Sequence, residues 1–118
     1  SHEMTLRECA QYVKQCFDIS TVKVFGDPES AVYRAAICPG SGGSMIPDAL
    51  QKGAEVYITG DIDHHEGIDA VAQGLCVIDA GHYGIEHIFV DYMEQYIRRE
   101  IPGLTIYKKA PEEPCWFI

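Results

Sequence analysis

The chain contains the stretch Leu75-Cys76-Val77-Ile78-Asp79-Ala80-Gly81-His82-Tyr83-Gly84-Ile85-Glu86, in which an apolar run leads into a turn and then a helix. An apolar run closed by Ala80-Gly81 predicts a buried strand that ends in a sharp turn. His82 and Glu86 are one helical turn apart, so their side chains point the same way. An imidazole and a carboxylate on one face suit a divalent metal ion. The alternative is a helix-start carboxylate beside an unrelated histidine.

Outward from this stretch, predicted strands and helices alternate along the chain. Periodicity and capping signals predict helices at residues 6–17, 45–52, 64–73 and 84–100, the first with Thr5 and Glu8 as a capping box. Strands are predicted at residues 21–25, 33–38, 56–59, 75–79 and 105–108. The last helix is predicted to bury Ile85, Ile88, Phe89, Tyr92, Met93, Tyr96 and Ile97. This alternation predicts an α/β fold, with a mainly parallel or mixed sheet flanked by helices.

Three loops leave the predicted carboxyl ends of strands, at residues 39–44, 60–65 and 80–86. In open sheets with parallel strands, ligands bind outside these ends. The same three loops are the richest in Gly, Ser, Asp and His. This coincidence predicts a functional site at the carboxyl edge of the sheet.

The first of these loops is a candidate anion site made of Ser41, Gly42, Gly43 and Ser44. Its backbone N–H groups and the helix start after it could cradle a phosphate. The loop lacks the lysine of a P-loop and the spacing of a dinucleotide fingerprint. A tight turn that needs glycine for its backbone is the alternative, and the loop taken alone favours that alternative.

The second loop, at residues 60–65, carries several groups that can bind ligands or move protons. Either Asp61 or Asp63 could cap the helix that follows, and Asp61 is also a candidate for substrate or anion binding. His65 is a candidate catalytic residue that would shuttle protons near a metal-bound water. The alternative is a solvated helix start with capping aspartates. His87 faces away from His82 on a continuous helix and is assigned no role.

Length and composition favour one globular domain. The chain has 118 residues, 47% of them apolar and 23% charged. A net charge of −9 would repel phosphate backbones, so nucleic-acid binding is not expected. No apolar run has the length of a membrane span and no signal peptide opens the chain, so no membrane partner is expected and the cytoplasm is the expected compartment.

The five cysteines are widely spaced and form no C-x-x-C pair. Their odd number argues against a disulfide framework or a structural zinc site. Cys9, Cys16, Cys38 and Cys76 are predicted to be small buried hydrophobic residues, and Cys115 is predicted to be the most exposed.

Several of these motifs together resemble the NIF-three-like family, whose members are often named GTP cyclohydrolase type 2 homologues. The resemblance extends from about Thr5 to the end of the chain and implies one half of a two-lobed fold. It is carried by Met4-Thr5-Leu6, Gly40-Ser41-Gly42-Gly43-Ser44, Gly53-Ala54-Glu55-Val56-Tyr57-Ile58-Thr59-Gly60-Asp61, Asp79-Ala80-Gly81-His82-Tyr83 and Glu86.

The resemblance implies a two-metal centre in a cleft between two similar α/β halves, in proteins that assemble into hexameric rings. His82 and Glu86 match the family's Gly-His-x-x-x-Glu ligands, and His65 matches a histidine of the cleft. The other ligands, a His-His pair and an aspartate, belong to an N-terminal half without a counterpart here. His64-His65 follows a different strand and is not that pair.

This mismatch predicts that the chain is the C-terminal part of a longer protein. Residues 1–4 would then be a linker or a tag remnant, and residues 5–118 a single α/β domain that forms the C-terminal lobe. The expected partners are the N-terminal lobe of the same protein and further copies in a homo-oligomer.

The resemblance implies a metal-dependent hydrolase of the GTP cyclohydrolase type 2 kind, with a nucleotide or phosphoester substrate. The cofactors would be zinc, iron or manganese ions, two per complete site, and this chain alone is expected to be inactive. The alternative is a non-enzymatic metal-binding scaffold or regulatory interaction protein. A third hypothesis is a plain α/β domain in which His82 and Glu86 only begin a helix.

Overall fold

The computed structural model describes residues 3–118 and has a four-stranded mixed sheet at its centre. In chain order the strands are Met4–Thr5 (β1), Lys23–Phe25 (β2), Ala31–Val32 (β3), Ala35–Ser41 (β4), Val56–Gly60 (β5) and Cys76–Asp79 (β6). The central sheet has the order β2-β6-β5-β4, and β1 pairs with β3 separately. β4, β5 and β6 are parallel, whereas β2 is antiparallel to β6. The prediction of an α/β fold with a mainly parallel or mixed sheet is confirmed.

The α-helices of the described chain differ in how the N–H groups at their starts are satisfied, and side chains cap two of them. The helices are Leu6–Phe17 (α1), Ile46–Gln51 (α2), His64–Ala72 (α3), His82–Glu86 (α4) and Phe89–Glu100 (α5). Thr5 and Glu8 form the predicted capping box of α1. Asp63 and Glu66 form a second box at α3, so Asp63 caps this helix and Asp61 does not.

The core lies on both faces of the sheet because successive side chains of a strand point to opposite faces. Val56 and Ile58 of β5 pack on one side in a cluster with α1 and α4, and Tyr57 packs on the other side with α2 and α3. All five residues of β5 are buried. The helices therefore hold the central strand from both sides and fix the position of its carboxyl end.

The single helix predicted at residues 84–100 is wrong, because the structure has two helices there, α4 and α5. At the break, a His87 ring nitrogen contacts the Phe17 carbonyl oxygen, and the ring stacks on Tyr83 with centroids 5.0 Å apart.

The predicted burial is also wrong for most of this segment. Of the seven apolar residues, Ile85 alone is buried, Met93 and Ile97 are half-buried, and Ile88, Phe89, Tyr92 and Tyr96 are exposed.

Two further expectations are wrong. Residues 105–108 form no strand, since this segment lies along α5, where Lys108 Nζ is 3.0 Å from an Asp91 oxygen and 2.6 Å from a Glu94 oxygen. Cys16 is exposed because the buried face of α1 ends at Val13.

The other cysteines vary in burial. Cys9 is buried and Cys115 is exposed, as predicted, whereas Cys38 and Cys76 are only half-buried, contrary to the prediction. Within residues 3–118, no helix is long and apolar enough to cross a membrane.

Near the start of the chain, Met4 pairs with Val32, whereas Ser1 and His2 lie outside the described residues. The assignment of residues 1–4 to a linker or tag remnant stays a prediction.

Candidate metal centre

Three loops meet closely at the carboxyl ends of β4, β5 and β6. The N–H of Ala80 donates to the Thr59 carbonyl oxygen at 2.8 Å, and the N–H of Gly42 donates to the Gly60 carbonyl oxygen at 3.4 Å. A Cβ added at Gly60 would lie 2.7 Å from the Gly40 oxygen and 2.8 Å from the Gly81 carbonyl carbon. Glycine at position 60 therefore allows the three backbones to approach each other.

His82 lies between two carboxylates at this junction. Its Nδ1 is 3.0 Å from Asp61 Oδ2, and its Nε2 is 3.0 Å from Glu86 Oε2. All three side chains are about half exposed. The structure thus brings His82 and Glu86 together on one helical face, as the spacing indicated, and adds Asp61 from the β5–α3 loop.

The two contacts of His82 differ in what they can do. A neutral imidazole has one N–H, so it can donate to only one of the two carboxylates. If Nδ1 donates to Asp61, the lone pair of Nε2 points toward Glu86 and is free to bind a cation. Histidine ligands of metals commonly donate their second N–H to a carboxylate in this way.

Gly40 allows the Glu86 carboxylate of this donor pair to pack against the end of β4. A Cβ at position 40 would lie 2.9 Å from Glu86 Oε1 and 3.8 Å from His82 Nε2. The residue has a φ of +67°, which glycine adopts without strain. The nitrogen donor and the carboxylate of this pair fit a zinc, iron or manganese ion by ligand type. Within the described part of the chain, however, no group of three or more His, Cys, Asp and Glu side chains could hold a metal ion.

Asp79 is a buried carboxylate that holds the loops around His82, and sequence reasoning missed this role. Its Oδ1 accepts from the N–H groups of Asp61 and Gly81 at 3.0 and 2.8 Å, and its Oδ2 accepts from Ile62 at 2.9 Å. Lys23 Nζ lies 3.5 Å from Oδ2 and donates to the Ile62 carbonyl oxygen at 2.9 Å. The available signal was an aspartate closing an otherwise apolar strand.

His65 lies on the solvent-facing start of α3. It is exposed, and its ring is edge-on to His64 with centroids 5.5 Å apart. No polar contact described within residues 3–118 joins it to His82 or Glu86. Its catalytic role stays a prediction.

The glycine loop, predicted to bind anions, uses part of its hydrogen-bonding capacity internally. Besides the contact of Gly42 with Gly60, the buried Tyr57 hydroxyl donates to the Gly42 oxygen at 2.8 Å, and burial raises the pKa of Tyr57 to about 12. A Cβ at Gly43 would lie 1.7 Å from Glu66 Oε2, which places a carboxylate against the loop. Ser41 and Ser44 are exposed. Their role in anion binding stays a prediction.

An open apolar groove of about 580 Å³ adjoins Glu86. Pro39, Ile85, Ile88, Phe89 and Tyr92 line it together with Glu86. The groove connects the donor pair with the exposed apolar face of α5.

Comparison with protein families gives a match over residues 1–111 to the model described as Duf34/NIF3 (NGG1p interacting factor 3). The chain belongs to this family. Similar proteins include ones named "GTP cyclohydrolase 1 type 2 homolog" from Streptococcus pneumoniae, 48% identical over 74% of the chain, and from Bacillus subtilis, 45% identical over 92%. The chain spans 34% and 28% of the lengths of these two curated relatives.

Solved structures of the NIF3 family have the same fold. A Bacillus cereus protein related to NIF3 superposes with a TM-score of 0.82 at 30% identity, covering all of this chain and 34% of its own. Staphylococcus aureus protein SA1388 gives a TM-score of 0.85 at 29% identity, covering all of this chain and 40% of its own. The predicted membership of the NIF-three-like family is confirmed.

Proposed function

We propose that this NIF3 chain supplies His82 Nε2 and the Glu86 carboxylate to a divalent metal centre of a hydrolase. The observation that carries the proposal is the donor pair itself. The two groups are 3.0 Å apart, and Asp61 faces the other nitrogen of the ring. Zinc, iron and manganese all accept this combination of ligands.

Two donors are fewer than a closed metal site needs, so further ligands must come from elsewhere. The chain spans about a third of the length of its curated relatives. We therefore propose that an N-terminal lobe of a longer protein, or another copy in a homo-oligomer such as a hexamer, completes a two-metal centre. The exposed apolar groove beside Glu86 is a suitable surface for such a contact.

In the proposed hydrolysis, the oxygen of a water molecule bonds to the attacked atom of a nucleotide or phosphoester, and the leaving group departs with a proton. Two bound metal ions would acidify this water and polarise the substrate. His65 would carry the proton, and Ser41, Ser44 and the nearby N–H groups would orient an anionic group. Asp61 would hold the ring of His82 in place. GTP is a candidate substrate because the relatives' names contain it.

A non-enzymatic role as a metal-binding scaffold or interaction protein is the second candidate. It is favoured by α5, which has Phe89, Tyr92 and Tyr96 exposed and none of its residues buried against the rest of the described chain. The family description also names an interacting factor. In this second function the protein would bind metal at the same site but would not turn over a substrate.

Zinc titration of the longer protein, in which the site would be complete, tests the proposed ligands. We expect His82→Ala and Glu86→Gln each to weaken zinc binding by at least about tenfold, because each removes one of two donors. His64→Ala is the matched control, since His64 is exposed beside the loop and its described ring contact is with His65. Zinc binding that is equal in all four proteins would refute the ligand assignment and favour the plain α/β domain.

Turnover by the longer protein separates the two functions. We expect metal-dependent loss of GTP or a phosphoester that disappears in His82→Ala and falls in His65→Ala. Stoichiometric zinc without turnover across a panel of nucleotides and phosphoesters would favour the scaffold.

A further inference from the structure

Asp79 and Lys23 form a second polar layer beneath the donor pair. Asp79 is 7% exposed and stands at the end of β6, where it is a neighbour of Lys23 because the antiparallel register pairs these two residues. The sheet register thus brings a lysine of β2 to the same edge as the candidate metal centre.

A buried carboxylate is costly unless its charge is compensated. Three backbone N–H groups at 2.8–3.0 Å and the ammonium group of Lys23 provide this compensation. Hydrogen bonds to a charged acceptor are stronger than those between neutral groups. The three N–H groups belong to Asp61, Ile62 and Gly81. Asp79 therefore connects the β5–α3 loop to Gly81, the residue directly before α4.

The connected residues directly adjoin the donor pair. Asp61, the residue that contacts His82 Nδ1, has a φ of +54°, an uncommon conformation for a residue other than glycine. Such a conformation persists only when the surrounding contacts hold it. The hydrogen bond from the Asp61 N–H to Asp79 is one such contact, and Lys23 bonds the next residue through the Ile62 oxygen.

We propose that Asp79, supported by Lys23, is a positioning residue that sets the Asp61 carboxylate against His82 and thereby orients Nε2 for the metal ion. The inference rests on the proposed function of His82 as a ligand. Asp79 acts through Asp61, and neither Asp79 nor Lys23 touches the metal ion.

The first test measures amide hydrogen exchange of the metal-free chain. In Asp79→Asn, we expect the amides of Asp61, Ile62 and Gly81 to exchange at least about tenfold faster, because a charged acceptor is replaced by a neutral one. The amides at the centre of β5 should keep their rates. A uniform acceleration over the sheet, or no change in the three loop amides, would overturn the proposal.

Zinc affinity provides a readout that a purely structural role would not change. We expect Asp79→Asn to weaken zinc binding about tenfold, within the range for groups that orient a ligand. If Asp79 acts through Asp61, the double variant Asp61→Asn/Asp79→Asn should weaken zinc binding by less than the product of the two factors measured for the single variants. Purely multiplicative losses would overturn the proposal.

Two further variants keep the test decisive if Asp79→Asn does not fold. Lys23 is more than half exposed, so Lys23→Met is expected to fold and to accelerate exchange of the Ile62 amide a few-fold, whereas Lys23→Arg retains the charge and restores the rate. Equal rates in Lys23→Met and Lys23→Arg would overturn the role of Lys23.

Glu29→Gln is the matched control for the loss of a carboxylate. It removes an exposed ion pair with Arg7 and lies beyond the opposite end of β2. It should leave both exchange and zinc affinity unchanged. Zinc binding that survives His82→Ala would defeat the ligand assignment, and the exchange data would still decide whether Asp79 holds the loop.

Discussion

Gly60→Ala is expected to force apart the three loops that form the candidate site. The added Cβ would lie 2.7 Å from the Gly40 oxygen, and an ordinary contact begins at about 3.4 Å, so the two segments must separate by about 0.7 Å. The Gly81 carbonyl group blocks movement in the other direction at 2.8 Å. Both obstacles are backbone atoms at strand ends, so they cannot move aside as a flexible side chain would.

The expected cost of Gly60→Ala follows from known overpacking effects. Forcing one methyl group into a packed site costs about 1–3 kcal/mol, and the reduced entropy of the unfolded chain returns about 0.4–1 kcal/mol. A net loss of about 1.5 kcal/mol should lower the urea midpoint by about 1 M, for an m value of about 1.5 kcal/mol/M. The assay is urea denaturation followed by circular dichroism.

Gly84→Ala is the matched control for this prediction. Gly84 is also buried, but its added Cβ would meet the end of the Ile19 side chain at 3.3 Å, and this side chain can shift. Alanine also favours the helix, so the variant should be as stable as the parent or more stable. The reasoning is refuted if Gly60→Ala has the same midpoint as the parent chain or a higher one.

Two other substitutions test buried and capping hydrogen bonds. Tyr57→Phe should lower the free energy of unfolding by about 0.5–1.5 kcal/mol in urea denaturation, because it removes one buried hydrogen bond while the Met45 N–H still donates to the Gly42 oxygen. In an alkaline absorbance titration, burial keeps Tyr57 protonated until about pH 12, so its stabilisation is complete below about pH 10 and fades as the pH rises to 12. The hydrogen bond from the Glu66 N–H lowers the pKa of Asp63. The stabilisation by this carboxylate is therefore present above about pH 4 and is lost as the pH falls through the lowered pKa. Asp63→Asn should make the urea midpoint less dependent on pH in acid.

The sequence predicted the parts of the fold that depend on local signals. Helix α1 has the predicted bounds because the capping box at Thr5 begins it, and Asp18, in a left-handed conformation, ends it after Phe17. The buried strand at residues 56–59 and the meeting of three loops at one edge are also confirmed, since a parallel sheet brings strand ends together. The family membership followed from motifs in these same loops.

The errors occur where local periodicity leaves more than one packing arrangement possible. The apolar spacing from Ile85 to Ile97 continues across the break at His87, so it could not indicate that the first helix ends there, where the His87 ring contacts Phe17. The same spacing predicts an apolar face without saying what covers it, and that face is exposed on α5. Residues 105–108 have strand-like composition, but a strand forms only beside a partner strand.

The sequence predicted that His82 and Glu86 lie side by side, but it did not predict the contacts that hold them in place. One helical turn between His82 and Glu86 was sufficient to place both on one face. The contact of Asp61 with His82 depends on a left-handed backbone conformation, and the role of Asp79 depends on loop N–H groups. Neither feature leaves a periodic signal in the sequence.

The irregular end of β4 has a consequence for solubility. β4 is an edge strand of the central sheet, and a regular exposed edge would offer its free N–H and C=O groups to the edge of another molecule. The register of β4 shifts between Ile37 and Ser41, and Pro39 in that interval has no N–H to donate. Gly40, which lies beside Glu86, is part of this irregular segment. The irregularity interrupts the row of hydrogen-bonding groups along the edge of β4 and so disfavours edge-to-edge aggregation.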